Sequence, residues 1–312
     1  MLSWFESPDK RAKFSGEIRD HEPLSRHTYY RIGGPARHLV IPKTVEDLDW
    51  IVEGVRAHQL PFQILGLGSN YLVSDRGFPG VVIKLTRIDL GVEALSLNRL
   101  RTGASVAVSS LLRRAAQEGW GGLEFLAGIP GSMGGVIAMN AGTHLGEAKD
   151  RVRVVEALQV FGAEAGKRYR FEGDDLRFDY RKNEFLPAGS IITSCEWEIS
   201  PRNPAEVKAE LDLVLSRRKS TQPVDFPSCG SVFKNPKAHG KQAWQVLDQV
   251  GMRGHRIGDA QVSEKHSNFI INHGQAKAFE VKALIDMAKQ RARDQMGIEL
   301  EEEVKFLGDF GQ

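Results

Sequence analysis

Cysteine is almost absent from this chain, because only Cys195 and Cys229 occur among its 312 residues. Two cysteines cannot build the disulfide framework of a small secreted protein, so we expect a protein of the reducing cytoplasm. An excess of charge of one sign is also missing. The 42 Lys and Arg against 40 Asp and Glu give a formal net charge of +2. This balance argues against a dedicated nucleic-acid binder, which would carry a basic stripe.

Long hydrophobic runs are missing as well. The longest stretch without Asp, Glu, Lys or Arg runs from Phe125 to Gly146, and it contains six glycines, Pro130, Asn140 and His144. Such a composition does not suit a membrane helix, and the N-terminus lacks the apolar core of a secretory signal. Hydrophobic residues still make up 41% of the chain. We therefore expect a globular protein, and the length predicts about two domains, with one or three allowed.

The first part of the chain has the pattern of an α/β unit. Strand composition runs from Ala36 to Ile41, and Thr44 with Asp47 three residues later can cap a helix. The predicted helix then carries an apolar stripe of Leu48, Ile51, Val52 and Val55. Further strands are predicted at Gln63–Leu65 and Val81–Ile83.

The rest of the chain predicts strands without regularly spaced helices. Leu111, Leu112, Ala115 and Ala116 predict a helix that ends at Gly119. Val152–Phe161 and Ser190–Ser200 are predicted strands. This pattern favours an α+β fold over a doubly wound one. After a linker at Pro201–Pro204, two amphipathic helices are predicted, with apolar positions Val207, Leu211, Val214 and Leu215, and Val281, Leu284, Ile285, Ala288 and Ala292.

Two glycine-rich loops are the most informative motifs. The first, Gly66-Leu67-Gly68-Ser69-Asn70, follows a predicted strand and could direct backbone N–H groups at an anion. It is not a Rossmann fingerprint, and an ordinary β-loop-β turn is an alternative. The second is Gly128-Ile129-Pro130-Gly131-Ser132-Met133-Gly134-Gly135. It is not a Walker A loop, and a tight turn against a packed helix is its alternative. Two such loops together favour one shared dinucleotide.

These loops and several other segments resemble the UDP-N-acetylenolpyruvoylglucosamine reductase (MurB) family, in its type II form. The resemblance covers nearly the whole chain in the expected order. It is carried by the two loops and by the segments His27–Ala36, Asp179-Tyr180-Arg181, Gly230–Pro236, Gln261–Phe269 and Glu303–Gly308.

The resemblance implies a vanillyl-alcohol-oxidase/PCMH-type FAD-binding fold of two α+β subdomains, followed by a C-terminal α/β substrate domain. The implied segments are an N-terminal extension at 1–26, subdomains at 27–92 and 93–200, and the substrate domain at 204–308. FAD would lie between the two subdomains with its pyrophosphate on both glycine loops, at Gly66–Asn70 and at Gly128–Gly135 without Met133. NADPH would bind transiently.

The implied reaction reduces an enolpyruvyl ether to a lactyl ether, which requires a cation for the carboxylate and a proton donor. The resemblance assigns these roles to Arg181 and Ser231, with Glu303 polarising the intermediate or organising the proton path. Cys229 is an alternative donor, since an extended segment would place it on the same face as Ser231. Asn183 stands where the family has Ser, two residues after the arginine. Tyr180, Gln222, Lys234 and Asn235 are candidate substrate-binding residues.

Other readings remain open from the sequence. A second FAD oxidoreductase of the same fold, or a non-catalytic flavin-binding protein, would fit less well with the set of Arg181, Ser231 and Glu303. His266 is expected to have a structural hydrogen-bonding role. The histidines show no metal-ligand spacing, so no bound metal is expected. We expect a monomeric cytoplasmic enzyme acting on a sugar nucleotide, with neither nucleic acid nor membrane as partner.

Overall fold

The structure is a computed structural model that describes residues 4–88 and 91–311. The chain divides into two compact units, each discontinuous in sequence. Unit 1 comprises Met1–Asp20, His38–Leu67 and Gly80–Ser216, and unit 2 comprises His21–Arg37, Gly68–Pro79 and Arg217–Gln312. The predicted division into consecutive domains stays a prediction, and residues 1–3 of the predicted extension lie outside the described residues.

The helices and strands of the described residues are as follows. The helices are α1 (Pro8–Arg11), α2 (Val45–His58), α3 (Val108–Glu118), α4 (Met133–Ala138), α5 (Ala148–Arg151), α6 (Pro204–Thr221), α7 (Ala243–Gln249) and α8 (Ala278–Met296). The first ten strands are β1 (Glu17–Pro23), β2 (Pro35–Ile41), β3 (Phe62–Leu65), β4 (Tyr71–Val73), β5 (Phe78–Lys84), β6 (Val92–Ser96), β7 (Arg99–Gly103), β8 (Trp120–Gly121), β9 (Gly142–Thr143) and β10 (Gly146–Glu147). The others are β11 (Val152–Gln159), β12 (Arg168–Glu172), β13 (Phe178–Asp179), β14 (Lys182–Asn183), β15 (Ser190–Glu198), β16 (Ser200–Pro201), β17 (Arg256–Ile257), β18 (Ala260–Val262), β19 (Ile270–Asn272) and β20 (Lys305–Leu307).

The first sheet has the order β1-β2-β5-β3, with β3 and β5 parallel. Helix α2 begins as predicted, because Thr44 accepts a hydrogen bond from the Asp47 amide and completes a capping box. Its predicted apolar stripe is buried, in one core with Phe5 and Phe14 from the N-terminal segment. That core therefore explains part of the N-terminal extension as packing on unit 1.

The second sheet is antiparallel and has the order β12-β11-β15-β7-β6. Its core includes α3 and α4 side chains such as Leu111 and Met133. Helix α3 ends at Gly119, as predicted, where the chain has a positive φ of 72°. A β-carbon at Gly119 would lie 2.2 Å from the Arg202 carbonyl oxygen, so only glycine fits. The mixed content confirms the α+β expectation.

Unit 2 has its own core around α7 and α8. The predicted stripe of α8 is fully buried, and Tyr30 and Ile32 from the segment before β2 belong to the same core. The predicted apolar face of α6 is buried at Val207 and Leu211. It does not extend to Leu215, which is 46% exposed, so the prediction is wrong at that residue. Strand β20 pairs in parallel with β4, with Lys305 opposite Tyr71.

No helix in the described parts of the chain combines the length and the apolar character needed to cross a membrane. Over the same residues, no group of three or more His, Cys, Asp or Glu side chains is arranged to hold a metal ion.

Candidate active site

The first glycine loop leaves β3 and leads into β4. Within the described chain, the backbone amides of Gly66, Leu67, Gly68 and Ser69 donate no hydrogen bond to the protein. Gly68 has a positive φ of 69°, and a β-carbon there would lie 2.2 Å from the His27 carbonyl oxygen. The Gly68 carbonyl in turn accepts a hydrogen bond from the Tyr29 amide at 3.0 Å. The loop is therefore held by its contacts with His27 and Tyr29. Its four amides without an acceptor are available as hydrogen-bond donors.

The second glycine loop leads into α4. Met133 and Gly134 donate backbone hydrogen bonds to Val106 and Ala104, so they fix the loop on the rest of unit 1. Over the described residues, the amides of Gly131 and Ser132 have no acceptor in the protein. A β-carbon at Gly134 would lie 2.9 Å from the Ala104 β-carbon, which explains the glycine there.

The two loops meet inside unit 1. A β-carbon at Gly66 would lie 2.8 Å from the Ser132 hydroxyl oxygen, and no other atom that it would meet is closer than 3.9 Å. Ser132 itself is buried. This close approach shows that the two glycine loops are in contact at Gly66 and Ser132. The prediction that both loops serve one ligand stays a prediction.

Arg181 lies at the tip of the β13–β14 hairpin, in unit 1, with a positive φ of 57°. Its guanidinium donates to the Gly142 carbonyl at 3.2 Å and lies 3.6 Å from Glu147 Oε1. The guanidinium also lies 5.0 Å from the ring centre of Tyr180, a cation–π distance. The side chain is only 18% exposed. Arg181 is thus a positioned group and not a mobile surface arginine.

Two asparagines attach this hairpin to the helix that follows the second glycine loop. Asn140, fully buried at the end of α4, donates to Glu147 and to the Asp179 carbonyl, both at 3.1 Å. Asn183 donates to the Ala138 carbonyl at 2.9 Å. Asn183 therefore supplies a hydrogen bond that holds the hairpin. Glycine loop, helix and Arg181 hairpin form one hydrogen-bonded assembly.

In unit 2, Ser231 and Glu303 lie on two adjacent extended segments. The Val232 carbonyl accepts the Glu303 amide at 2.8 Å, and the Lys234 amide donates to the Glu301 carbonyl at 2.8 Å. Asn268 holds the first segment from the other side by exchanging hydrogen bonds with Phe233. Ser231 follows Gly230, whose φ of 80° turns the chain. Both predicted residues are half-buried.

Cys229 and Tyr30 are both buried in the hydrophobic core of unit 2. Burial raises the pKa of the Cys229 thiol to about 12, and the nearby Glu303 carboxylate acts in the same direction. Burial also raises the pKa of Tyr30 well above its ordinary value, and the neighbouring Cys229 acts in the same direction. The thiol is therefore a weaker acid than free cysteine.

The candidate substrate-binding residues of unit 2 differ in their surroundings. Lys234 pairs with Glu301 at 2.5 Å, and the Asn235 side chain accepts the Ala243 amide at the start of α7. The Gln222 side-chain oxygen is buried and has no hydrogen-bond donor among the described residues. Gln222 is thus the candidate whose side chain most clearly needs a further partner.

His266 lies between aromatic rings in unit 2. Its ring centre is 4.9 Å from that of Phe269 and 6.4 Å from that of Trp244. Burial, together with the charge of Arg253, lowers the pKa of His266. The surroundings of His266 favour a neutral, packed ring.

Sequence reasoning did not assign a role to Asn140 or Glu147. Both contact the Arg181 hairpin or its support. Asn140 has a positive φ of 41°, a region that asparagine tolerates better than most residues. The residue type was therefore the signal that the sequence offered at this position. Glu147 has no such signal, because its pairing with Arg181 joins chain positions that only the fold brings together.

Two family models match the chain. An FAD-binding domain model matches residues 36–168, and the model for the C-terminal domain of UDP-N-acetylenolpyruvoylglucosamine reductase matches residues 222–307. The first range contains both glycine loops, and the second contains Ser231 and Glu303. The matched ranges therefore place the loops and the C-terminal candidates in separate modules of the chain.

The chain is similar over its length to curated proteins and to one solved structure. It is 40% identical to the UDP-N-acetylenolpyruvoylglucosamine reductase of Heliobacterium modesticaldum over 96% of this chain and 93% of the relative. Identity to the protein of the same name from Geotalea uraniireducens is 39%, over 95% of this chain and 96% of that one. The crystal structure of the Thermus caldophilus enzyme matches with a TM-score of 0.77 and 34% identity, over 94% of this chain and 100% of that chain.

Proposed function

Because the chain belongs to the UDP-N-acetylenolpyruvoylglucosamine reductase family and carries an FAD-binding domain, we propose that it reduces UDP-N-acetylglucosamine enolpyruvate to UDP-N-acetylmuramate with NADPH as the hydride donor. The product is a peptidoglycan precursor. The observation that carries this proposal is the close approach of Gly66 to Ser132. It brings into contact two loops whose amides at 66–69 and 131–132 have no acceptor among the described residues.

The residues of the two loops fit FAD. Amides of Gly66, Leu67, Gly131 and Ser132 would donate to its diphosphate, and the absence of side chains at the glycines leaves room for it. When bound and reduced by NADPH, the flavin would supply the hydride for the terminal carbon of the enolpyruvyl group. The protein must then hold the substrate carboxylate and deliver a proton to the neighbouring carbon.

Arg181 is the residue that would hold the substrate carboxylate. Its planar guanidinium offers paired donors in the geometry that a carboxylate accepts. Contacts with Gly142, Glu147 and Tyr180 restrict its orientation, so little freedom is lost on binding. Tyr180 would contribute to the same binding surface as the neighbour of Arg181.

Ser231 is the proposed proton donor. A hydroxyl is a weak acid, but a carbanion next to a carboxylate is a stronger base, so the transfer is downhill when the geometry is set. Glu303 lies on the adjacent segment and would organise the proton path. The burial of the Cys229 thiol supports a packing role for it, and it favours the half-buried Ser231 as the donor.

Gln222, Lys234 and Asn235 would bind the sugar nucleotide. The buried side-chain oxygen of Gln222 supports a substrate contact, because its desolvation is otherwise uncompensated. Lys234 would need to exchange Glu301 for a phosphate, and Asn235 retains two amide donors while its oxygen caps α7. We further propose that the enzyme works in the cytoplasm as a monomer, with neither nucleic acid nor membrane as partner.

The test uses the purified protein with its own flavin. We expect the visible absorbance of oxidised FAD, and NADPH oxidation that depends on UDP-N-acetylglucosamine enolpyruvate with formation of UDP-N-acetylmuramate. UDP-N-acetylglucosamine, which lacks the enolpyruvyl group, is the matched control and should not stimulate NADPH oxidation. A colourless protein that does not take up FAD, or a rate unaffected by the enolpyruvyl compound, contradicts the proposal.

A further inference from the structure

Asn70, the last residue of the first glycine loop, is hydrogen-bonded to Glu303. Its side-chain nitrogen donates to the Glu303 carbonyl at 3.0 Å, and its own carbonyl accepts the Lys305 amide at 2.9 Å. These two bonds hold the backbone on either side of Val304, beginning at the Glu303 carbonyl. They are long-range contacts, since Asn70 and Glu303 are 233 positions apart.

The two bonds continue a regular pairing. Immediately after them, β4 and β20 pair in parallel from Tyr71 and Lys305 to Val73 and Leu307. The Ser74 amide then donates to the Leu307 carbonyl at 2.8 Å. The end of the first glycine loop and the segment that carries Glu303 are therefore one rigid hydrogen-bonded element of unit 2.

Glu303 is fixed on its other side by the segment that carries Ser231. The Glu303 amide donates to the Val232 carbonyl at 2.8 Å. Asn70 therefore holds the carbonyl of Glu303 while Val232 holds its amide. With both ends of the residue fixed, the direction of its side chain is set by the loop on one side and by the Ser231 segment on the other.

We propose that Asn70 is a positioning residue, which acts on substrate reduction by holding Glu303 and not mainly by contacting FAD. The unused amides of the loop belong to the residues before it, Gly66 to Ser69, whereas the Asn70 side chain is directed to Glu303. The inference rests on the proposed function, because it assigns Glu303 to the proton path.

The first test separates the two half-reactions in the holoenzyme. In Asn70→Ala and in Asn70→Asp, whose carboxylate cannot donate, we expect FAD retention and flavin reduction by NADPH to stay near wild type. Reoxidation of the reduced flavin by the enolpyruvyl substrate should slow about 10- to 100-fold. Asn98→Ala is the matched control, since Asn98 lies on an exposed turn of unit 1 and its side chain accepts a hydrogen bond from Ser96. Loss of FAD from both Asn70 variants would assign Asn70 to the flavin and overturn the proposal.

A double-mutant cycle tests whether Asn70 acts through Glu303. In a Glu303→Gln background, we expect Asn70→Ala to slow reoxidation less than about twofold, because the group that it positions is already impaired. Slowing by the same factor in both backgrounds would overturn the proposal, since it would show that Asn70 acts independently.

Hydrogen–deuterium exchange gives a readout that does not depend on activity. Loss of the Asn70 side chain should raise the exchange rate of amides in residues 301–307 about fivefold or more, and Asn98→Ala should leave it unchanged. Unchanged exchange in Asn70→Ala overturns the proposal. If wild-type enzyme is not reoxidised by the enolpyruvyl substrate, the proposed function fails, while the exchange result still reports whether Asn70 holds Glu303.

Discussion

The α-carbon of Gly66 faces the hydroxyl group of Ser132, so closely that a β-carbon on Gly66 would lie 2.8 Å from the hydroxyl oxygen. Each residue belongs to a different glycine loop, and the two residues are 66 positions apart in the chain. Their contact joins two loops that each contain backbone amides without an acceptor among the described residues.

Gly66→Ala should weaken FAD binding about 10- to 100-fold, because the added methyl group pushes the two loops apart or displaces the diphosphate. The measurement is FAD affinity of the stripped protein by fluorescence titration. In the double variant Gly66→Ala/Ser132→Gly the partner of the clash is gone, so we expect much of the affinity to return. Wild-type affinity in Gly66→Ala would contradict a close-packed loop junction.

Ser231→Ala should slow substrate reduction roughly 10²- to 10⁴-fold while flavin reduction by NADPH continues. Stopped-flow absorbance of the two half-reactions measures this directly. Cys229→Ala is the control, because the Cys229 side chain is buried in the core of unit 2 and is not expected to reach the substrate. If Cys229→Ala stops reoxidation and Ser231→Ala does not, the proton donor is the thiol.

Arg181→Lys should impair reduction of the enolpyruvyl group and raise KM, since an ammonium group cannot reproduce the paired donors of the guanidinium. It would also lose the stacking on Tyr180. The exposed Arg177, in the same region of the chain, supplies the control variant Arg177→Lys. Near-wild-type kcat and KM in Arg181→Lys would remove Arg181 from the carboxylate site.

His266 should make the stability of the protein fall as the solution becomes acidic. Burial and the charge of Arg253 lower the pKa of His266, against the opposing charge of Asp248. The folded protein binds this proton less readily than the unfolded chain, whose histidine has a pKa near 6.5. The free energy of unfolding therefore decreases as pH falls below about 6.5. Urea unfolding at pH 7.5 and 5.5 measures the loss. His266→Gln should reduce it, whereas the exposed His239→Gln should not. An unchanged pH dependence in His266→Gln would show that its protonation is not coupled to folding.

Local chemistry made much of the fold predictable. The Thr44–Asp47 capping box and the glycine that ends α3 depend on neighbouring residues, and both are confirmed. The stripe of α8 is confirmed as well, because one continuous core covers it. Leu215 was predicted to be buried and is exposed. Periodicity predicts that one face of a helix is apolar, but it does not predict how far other elements pack along that face.

The candidate site was predictable only in part. The glycine loops were visible as motifs because their backbone requires glycine, and their contact at Ser132 agrees with one shared ligand. The contacts of Asn140, Glu147 and Asn70 were not predictable, because each depends on a partner brought near by the fold. The roles of Arg181, Ser231 and Glu303 stay predictions that the variants above can test.

The parallel pairing of β4 with β20 has a consequence for the order of events during synthesis. Strand β4 emerges early, but its partner Lys305–Leu307 lies more than two hundred positions later. Residues around Asn70 therefore spend most of translation without the neighbours that they have in the finished protein, and contacts of such high sequence separation form slowly. We expect the placement of Glu303 beside Asn70 to be a late step of biogenesis, which begins only after residues 305–307 have been made.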